Sequence, residues 1–241
     1  MSDSMSLSSH NLAAQTLLID ADDTLWENNI YFERAIAQFI SFLDHQEHSP
    51  EQVRGVLNDV ERDCIVRHGY GLHSFSHALV DTFERLAVEP VTPAVHETIR
   101  GFANIIAEHP VELLPDVPAT LDYLAGRHRL ILMTKGAVAE QSGKIERSGL
   151  ARFFESVEIV AEKDTDTYRS ISAKYDLKPQ STWMVGNSPR SDINPSLAAD
   201  LNAVFVPHDS TWILEHEEVR APRPNRQILV LDKFSTLRSH F

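Results

Sequence analysis

The sequence is poor in cysteine, in long hydrophobic runs and in positive charge. Its only cysteine, Cys64, cannot form an internal disulfide or a cysteine-based zinc site. No apolar run approaches the length that a membrane-spanning helix needs. The Ser-rich start, MSDSMSLSSHN, lacks the basic and apolar regions of a secretory signal. We therefore expect a cytoplasmic protein with no membrane partner.

The shortage of positive charge bears on the choice of partner. The chain has 22 Lys and Arg residues against 35 Asp and Glu residues, and its formal net charge is −13. Because phosphate neutralisation needs clustered Lys and Arg, we expect no nucleic acid as a partner. An anionic substrate would have to be attracted by local cations: a metal ion, Lys163, and also Lys135 or Arg190.

Length and composition fit an ordinary globular protein. With 241 residues, the chain can form one large domain or a core with a smaller second domain. Hydrophobic residues make up 42% of the chain and charged residues 24%, which is enough apolar material for a buried core. We expect the polar residues 1–11 to form a disordered tail.

Residues 28–110 have a helical pattern throughout. Apolar residues recur at helical spacing from Ile30 to Leu43. Ser49-Pro50 and Thr92-Pro93 each combine an N-cap residue with proline at the first helical position, so they predict two helix starts. A further helix is predicted over His73–Leu86. We therefore predict an all-helical insert of some four helices, the size of a small bundle.

Short apolar runs alternate with helical segments in the rest of the chain. Leu17–Ile19 is the first of these runs and lies before the helical insert. Strands that alternate with helices indicate an α/β fold whose mostly parallel sheet is covered on both faces. The later predicted strands are Leu130–Met133, Val157–Val160, Thr182–Val185, Ala203–Val206 and the late edge strand Ile228–Leu231.

The stretch Thr16–Trp26, TLLIDADDTLW, is the most unusual part of the sequence. Its apolar run predicts a buried strand, and Asp20, Asp22 and Asp23 follow directly. Three carboxylates so close together repel one another unless a positive group lies between them. In open α/β sheets ligands bind at this end of the strands.

Polar residues also follow three later strands. Besides Asp20–Thr24, they are Thr134–Gly136, Lys163, and Gly186–Asp192 with the sequence GNSPRSD. Because the carboxyl ends of parallel strands meet at one crevice, we expect these four stretches to lie together. Each stretch alone is a weak signal, but four in this order are a strong one.

The four motifs resemble those of the haloacid dehalogenase superfamily of hydrolases. The resemblance covers about residues 16–26 and 112–210. It implies a Rossmann-like α/β core made of 12–27 and 111–241, with residues 28–110 inserted as a helical cap domain. Such an insert directly after the first strand would be a lid that excludes water from the site.

The resemblance also implies the chemistry, and elementary arguments agree with it. Asp20 is the expected nucleophile and Asp22 the acid/base, because two residues apart on an extended chain they lie on the same side. The expected substrate is a small phosphorylated metabolite, and the expected cofactor is Mg²⁺, which prefers oxygen ligands. The predicted metal ligands are Asp20, the main-chain carbonyl of Asp22, Asn187 and Asp192. The predicted phosphate-binding residues are Thr134, Lys135, Gly136 and Lys163, of which Thr134 and Lys163 also count as catalytic.

One departure from the family pattern leaves alternatives open. Most phosphatases of this superfamily have Gly-Asp where this chain has Gly186-Asn187. The metal-free haloacid dehalogenases have Asn in this motif, but they lack the second Asp of the first motif, which is present here as Asp22. We therefore favour a phosphatase over a dehalogenase, with a non-catalytic binding protein as a further alternative.

Several single assignments also have a purely structural alternative. Thr134 can serve as a helix cap, Lys163 as a solvated surface lysine, and Asp192 as a helix N-cap. Arg190 fits a surface or capping contact better than a substrate ligand. Asp23 occupies a place that often holds Gly in the family, and Asp tolerates the left-handed backbone such a place needs. Neither the particular substrate nor the oligomeric state follows from these patterns.

Overall fold

The computed structural model describes residues 14–43, 47–88 and 92–241, so the tail predicted over 1–11 lies outside the described residues. None of the helices in these ranges is both long and apolar enough to cross a membrane. The strands are β1 (Thr16–Ile19), β2 (Arg129–Lys135), β3 (Ser156–Val160), β4 (Thr182–Gly186), β5 (Asn202–Phe205) and β6 (Ile228–Val230). The α-helices are α1 (Asn29–Leu43), α2 (Pro50–His68), α3 (Leu72–Leu86), α4 (Pro93–Glu108), α5 (Val117–Ala125), α6 (Val138–Ser148), α7 (Thr165–Lys174) and α8 (Asn194–Ala198).

The described strands form one sheet in the order β3-β2-β1-β4-β5-β6. Each pair of neighbours is parallel, which confirms the predicted α/β class. β1 lies between β2 and β4, and Ile19 at its end pairs in register with Leu132 and Val185. The residues that follow β1, β2 and β4 therefore emerge side by side at one edge of the sheet.

Both faces of the sheet are buried. Side chains alternate along a strand, so Leu17 and Ile19 pack on one face and Leu18 on the other. On the second face, Leu18 and Met184 contact Tyr168 of α7, and all three are fully buried. This double burial explains why the central strands are continuous apolar runs.

The helices α1 to α4 form a second apolar core of their own. Phe39, Leu57, Leu79 and Ile99, one from each helix, are fully buried in this cluster. The inserted helical cap is thereby confirmed as part of the fold. The domain boundaries 12–27, 28–110 and 111–241 stay a prediction.

Capping residues define the starts of two cap helices as predicted. At α2, the Ser49 hydroxyl accepts a hydrogen bond from the Gln52 backbone N–H, and the Gln52 side chain accepts one from the Ser49 backbone N–H. At α4, the Thr92 hydroxyl accepts from the Val95 backbone N–H. These bonds satisfy amides that have no partner within the helix.

The two connections between core and cap lie side by side. The backbone N–H of Glu27 donates to the carbonyl of Glu112, and that of Leu114 donates to the carbonyl of Leu25, each over 2.9 Å. Trp26 is fully buried between these bonds. The chain thus leaves the site after β1 and returns next to the point where it left.

Candidate active site

Asp20 lies at the floor of a cavity between the core and the cap. Its backbone N–H donates to the Val185 carbonyl over 2.9 Å, so the residue extends the ladder between β1 and β4. The Asp20 side chain is buried, and its Oδ2 accepts a hydrogen bond from the Thr24 hydroxyl over 3.1 Å. The predicted nucleophile is therefore held in place from two sides, with its carboxylate in the cavity wall.

Lys163 is shared between two carboxylates. Its ammonium bonds to Asp20 and, over 2.8 Å, to Asp192, and the Lys163 side chain is 1% exposed. Burial lowers the pKa of Lys163, but Asp192 and Asp20 outweigh this effect, so the pKa lies above its ordinary value. Burial raises the pKa of Asp20, and Asp192 adds to the rise while Lys163 opposes it. The alternative of Lys163 as a solvated surface residue is wrong.

Asp192 reaches the site because Gly186 has no side chain. A Cβ atom on Gly186 would lie 2.2 Å from Asp192 Oδ2, so no other residue fits at this point of β4. Asp192 Oδ2 also accepts from the Ser188 backbone N–H over 2.9 Å. The N-cap of the following turn is Ser188, whose hydroxyl accepts from the Ser191 N–H. The alternative of Asp192 as the N-cap is therefore wrong.

Asn187 presents its amide oxygen to the same edge of the cavity. Oδ1 accepts from the Thr24 hydroxyl over 3.2 Å, and the amide nitrogen donates to Thr211 over 3.1 Å. Since the Thr24 hydroxyl also bonds to Asp20, the amide oxygen lies on the Asp20 side of the residue. Asp20, Asn187 and Asp192 thus offer oxygen atoms, the ligand type that Mg²⁺ prefers.

Asp22 lies in a different environment from Asp20. Its carboxylate accepts hydrogen bonds from Lys144 over 2.7 and 2.8 Å, from Gln141 over 2.9 Å and from the Trp26 indole over 2.7 Å. Burial raises the pKa of Asp22, but Lys144 and these hydrogen bonds more than reverse it, and the pKa lies below its ordinary value. The lowered pKa keeps Asp22 in its ionised form, a carboxylate.

Lys144 and Gln141 were not singled out from the sequence. They lie one turn apart on α6, the helix that follows the Thr134–Gly136 stretch, and both line the cavity with Asp22. A signal existed: residues three apart on a helix share a face. Nothing local, however, links that face to Asp22 across 122 residues.

The Thr134–Gly136 stretch enters the cavity at the end of β2. Thr134 is buried and lines the cavity. The N-cap of α6 is Ala137, without a side-chain cap, so the alternative of Thr134 as the helix cap is wrong. Gly136 has a φ of 138°, a left-handed value that favours glycine. Both residues are therefore available to contact a ligand.

Lys135 is engaged by a buried network that the sequence did not reveal. Its ammonium donates to Glu215 over 2.6 Å and to the Ser191 hydroxyl over 2.8 Å, and it lies 4.1 Å from the centre of the Tyr70 ring. Burial raises the pKa of Glu215, but Lys135 and the hydroxyls of Ser188 and Ser191 outweigh it, so the pKa is lowered. Glu215 thus neutralises Lys135 and holds the Ser188–Ser191 turn under Asp192.

Arg190 and Asp23 have structural roles. Arg190 donates to the Leu214 carbonyl over 2.9 Å, which agrees with the surface or capping contact. Asp23 has a φ of 59°, as expected for a left-handed position, and accepts from the Asn29 backbone N–H at the start of α1 over 3.0 Å. Asp23 also lies close to Glu27 and His208. One carboxylate oxygen of each acidic residue and one ring nitrogen of His208 lie within 4.8 Å of one another.

The cap covers part of the cavity. The Tyr70 hydroxyl donates to Glu162 over 2.7 Å, and the Leu72 backbone N–H donates to Glu140 over 3.0 Å, so the loop between α2 and α3 contacts the core. The cavity has a volume of about 150 Å³. This space is enough for a small organic group.

The chain is similar to one family of hydrolases and to several solved structures. The model of the haloacid dehalogenase-like hydrolases matches residues 14–200. No curated protein matches the chain. A haloacid dehalogenase-like family hydrolase from Xanthomonas campestris is 28% identical, with a TM-score of 0.80, and the match covers 95% of this chain and 94% of that one.

Two more distant structures share the fold. L-2-haloacid dehalogenase from Xanthobacter autotrophicus is 16% identical, with a TM-score of 0.61 and coverage of 94% of this chain and 97% of that one. A protein described as a predicted phosphoglycolate phosphatase from Haemophilus somnus is also 16% identical, with a TM-score of 0.60 and the same coverage, 94% and 97%. Proteins named for two different activities therefore share this fold.

Proposed function

Because the chain belongs to the haloacid dehalogenase-like hydrolases, we propose that it is a Mg²⁺-dependent phosphohydrolase that acts on a small phosphomonoester. The observation that carries this proposal is the pair Asp20 and Asp22, both in the wall of one cavity. The fold alone does not choose between phosphatase and dehalogenase. A phosphatase needs a second carboxylate, because the leaving ester oxygen must receive a proton. Asp22 is the group that delivers this proton.

In the first step Asp20 attacks phosphorus. A bond forms between an Asp20 carboxylate oxygen and phosphorus, and the bond from phosphorus to the ester oxygen breaks. Lys163 places its charge beside Asp20, where negative charge accumulates on the phosphoryl oxygens. The Thr134 hydroxyl and the backbone N–H groups next to Gly136 hold the phosphoryl oxygens in line.

Asp22 moves the protons in both steps. Since Lys144 keeps Asp22 ionised, the proton for the leaving oxygen comes from a substrate bound as its monoanion, whose phosphoryl pKa is about 6. Asp22 passes that proton to the ester oxygen. In the second step a water attacks the aspartyl-phosphate, Asp22 takes its proton, and phosphate leaves as Asp20 is regenerated.

The charges of the site fit a divalent cation. Asp20 and Asp192 share the single positive charge of Lys163, so the buried cluster lacks one positive charge before any phosphate arrives. When bound, Mg²⁺ supplies charge that neutralises the phosphoryl oxygens. The oxygens of Asp20, Asn187 and Asp192 and the main-chain carbonyl of Asp22 would hold it, as the sequence predicts.

Metal-free dehalogenation is the second candidate, and Asn187 is the observation that favours it. An amide brings no charge, so the site binds a cation less strongly than one with a third carboxylate would. Asp22 argues against this candidate, because a departing halide needs no proton. The remaining alternative, a non-catalytic binding protein, has no support from the buried cluster in which Asp20 and Asp192 share the charge of Lys163.

The test measures phosphate release from an aryl phosphate across a range of Mg²⁺ concentrations. We expect activity that excess chelator removes. In Asn187→Asp we expect half-saturation at a Mg²⁺ concentration lower by at least several-fold. A unit charge pair about 4 Å apart is worth roughly 1–4 kcal/mol, less the desolvation of the new carboxylate and its repulsion from Asp20 and Asp192. Activity at saturating metal need not rise, because extra negative charge opposes the incoming phosphate.

Two outcomes would contradict the proposal. One is equal activity of the wild-type protein in excess chelator. The other is chloride release from 2-chloropropionate without metal, together with no phosphate release from any phosphomonoester. A small phosphorylated metabolite as the substrate stays a prediction, and so does the cytoplasmic location.

A further inference from the structure

Several buried polar atoms of the described cap residues have no hydrogen-bond partner, and two of them belong to residues that line the cavity: Glu61 Oε2 on α2 and Ser74 Oγ on α3. Glu61 is 6% exposed and Ser74 is 4% exposed. Burying such groups without a partner costs free energy, so native proteins rarely leave them unsatisfied. Two of them on neighbouring helices therefore require an explanation.

Arg54, the cation that acts most strongly on the Glu61 carboxyl, bonds to other residues. Arg54 donates to both carboxylate oxygens of Glu33 over 2.6 and 2.8 Å and to the Asn58 side chain over 2.9 Å. Burial raises the pKa of Glu61 to about 7, with Arg54 opposing the rise and Glu33 adding to it. Within the described chain, the Glu61 carboxyl is thus left with an unused acceptor oxygen.

Glu61 and Ser74 both line the cavity that contains Asp20. They belong to the cap, whereas Asp20, Lys163 and Asp192 belong to the core, so the two groups of polar residues lie on different sides of the cavity. Apolar side chains of the cap, namely Phe32, Ile65 and Phe75, complete the lining. The cavity therefore offers an anion-binding side, an apolar wall and a separate acceptor site.

We propose that Glu61 and Ser74 form a cap-side subsite that binds a hydrogen-bond-donating group, an ammonium or a hydroxyl, at the far end of the phosphomonoester. The inference rests on the proposed function and extends it from the reacting phosphate to the substrate class: short alkyl phosphates with an amino or hydroxyl terminus. Glu61 accepts the hydrogen bond, Ser74 adds a second polar contact, and the apolar wall covers the alkyl chain.

The experiment uses alkyl phosphonates, which cannot be hydrolysed and so report binding whether or not turnover occurs. Calorimetry measures the affinity of three matched series, two to five carbons long, that end in an amino group, a hydroxyl or a methyl. At the best chain length we expect the amino or hydroxyl series to bind at least about tenfold more tightly than the methyl series, because a hydrogen bond to a charged group is strong.

Variants assign this preference to the subsite. Glu61→Gln keeps the shape of the side chain but removes its charge, so the preference should fall to less than about threefold, with a larger loss for the amino series. Ser74→Ala should weaken both polar series and leave the methyl series unchanged. Glu97→Gln, on the exposed surface of α4 with its side chain 79% exposed, is the matched control and should keep the full preference.

The outcomes distinguish the cap-side subsite from the proposed phosphatase activity. Equal affinity of all three series in the wild-type protein, or an undiminished preference in both Glu61→Gln and Ser74→Ala, overturns the subsite. A preference that these variants remove, in a protein that releases no phosphate from any ester, supports the subsite and overturns the proposed catalysis. Failure of every phosphonate to bind, in a protein that releases phosphate from an aryl phosphate, overturns the subsite and leaves the proposed catalysis standing.

Discussion

Asp20 and Asp22 lie two residues apart, yet their surroundings are opposite. Around Asp20, one lysine serves two carboxylates, since Lys163 bonds to both Asp20 and Asp192. Around Asp22, one lysine and two further donors serve a single carboxylate. Burial raises the pKa of both carboxyls: at Asp20 it prevails over Lys163 with the help of Asp192, and at Asp22 it is outweighed by Lys144 and the hydrogen bonds.

The difference shows that the ratio of donors to carboxylates, more than burial, separates the pKa of Asp20 from that of Asp22. The Asp20 region is short of positive charge and is suited to bind a cation and a phosphate. The Asp22 region is saturated with donors and keeps a stable carboxylate that can take a proton. Perturbed carboxylates with opposite shifts in one cavity are typical of a division between nucleophile and acid/base.

Removal of the Asp20 carboxylate is the strongest test of this comparison. Asp20→Asn should lower phosphatase turnover by several orders of magnitude without unfolding the protein, because no other group can accept the phosphoryl. Steady-state kinetics and a thermal melt measure the two effects. Asp122→Asn, an exposed carboxylate on α5, should retain wild-type turnover. Near-wild-type turnover of Asp20→Asn would rule out the aspartyl-phosphate.

The role assigned to Asp22 predicts a graded effect. Asp22→Asn should slow alkyl phosphates by about 10²–10⁴-fold, the usual contribution of general acid catalysis. Aryl phosphates should be slowed much less, because their leaving groups depart without a proton. The ratio of kcat/KM values for the two substrate types in each protein is the readout, because kcat/KM reports the first step, whereas kcat also includes the second step that both types share. If both types slow equally, Asp22 does not protonate the leaving oxygen.

Removal of the positive charge beside Asp22 should produce the smallest change, a shift in pH dependence. In Lys144→Met, burial would act on Asp22 unopposed by that charge, so the pKa of Asp22 should rise. Since the second step needs the ionised base, activity is lost as the pH falls through this pKa, and the acidic limb should move to higher pH. Lys144→Arg keeps the charge and should keep the wild-type limb. If the pH profiles of Lys144→Met and wild type superimpose, Lys144 does not influence the proton transfer by Asp22.

The sequence predicted the fold well because its signals are local. Parallel strands buried on both faces require apolar runs, and Leu17–Ile19 and Thr182–Val185 are such runs, so β1 and β4 were located from composition alone. The late strand over Ile228–Leu231 was confirmed as β6 at Ile228–Val230. Cap helices were recognisable from the N-cap and proline pairs at Ser49-Pro50 and Thr92-Pro93.

The part of the candidate site that lies at strand ends was also predictable from the sequence. Asp20, Thr134, Lys163 and Asp192 lie at or after the carboxyl ends of strands, which parallel strands bring to one edge. The sequence therefore determined these four residues of the core side of the cavity. It also determined that Asp23 occupies a left-handed position, because short polar side chains tolerate that backbone.

Only the tertiary structure decided what each of these residues is bonded to. Lys135 has the position of a phosphate ligand, but its ammonium is bound by Glu215, 80 residues later in the chain. Lys144 reaches Asp22 from α6, and the unpartnered Glu61 faces the cavity from a helix of the cap. Spacing along the chain encodes strands and helices, whereas hydrogen-bond partners and the resulting pKa shifts depend on contacts across the fold, which no local pattern specifies.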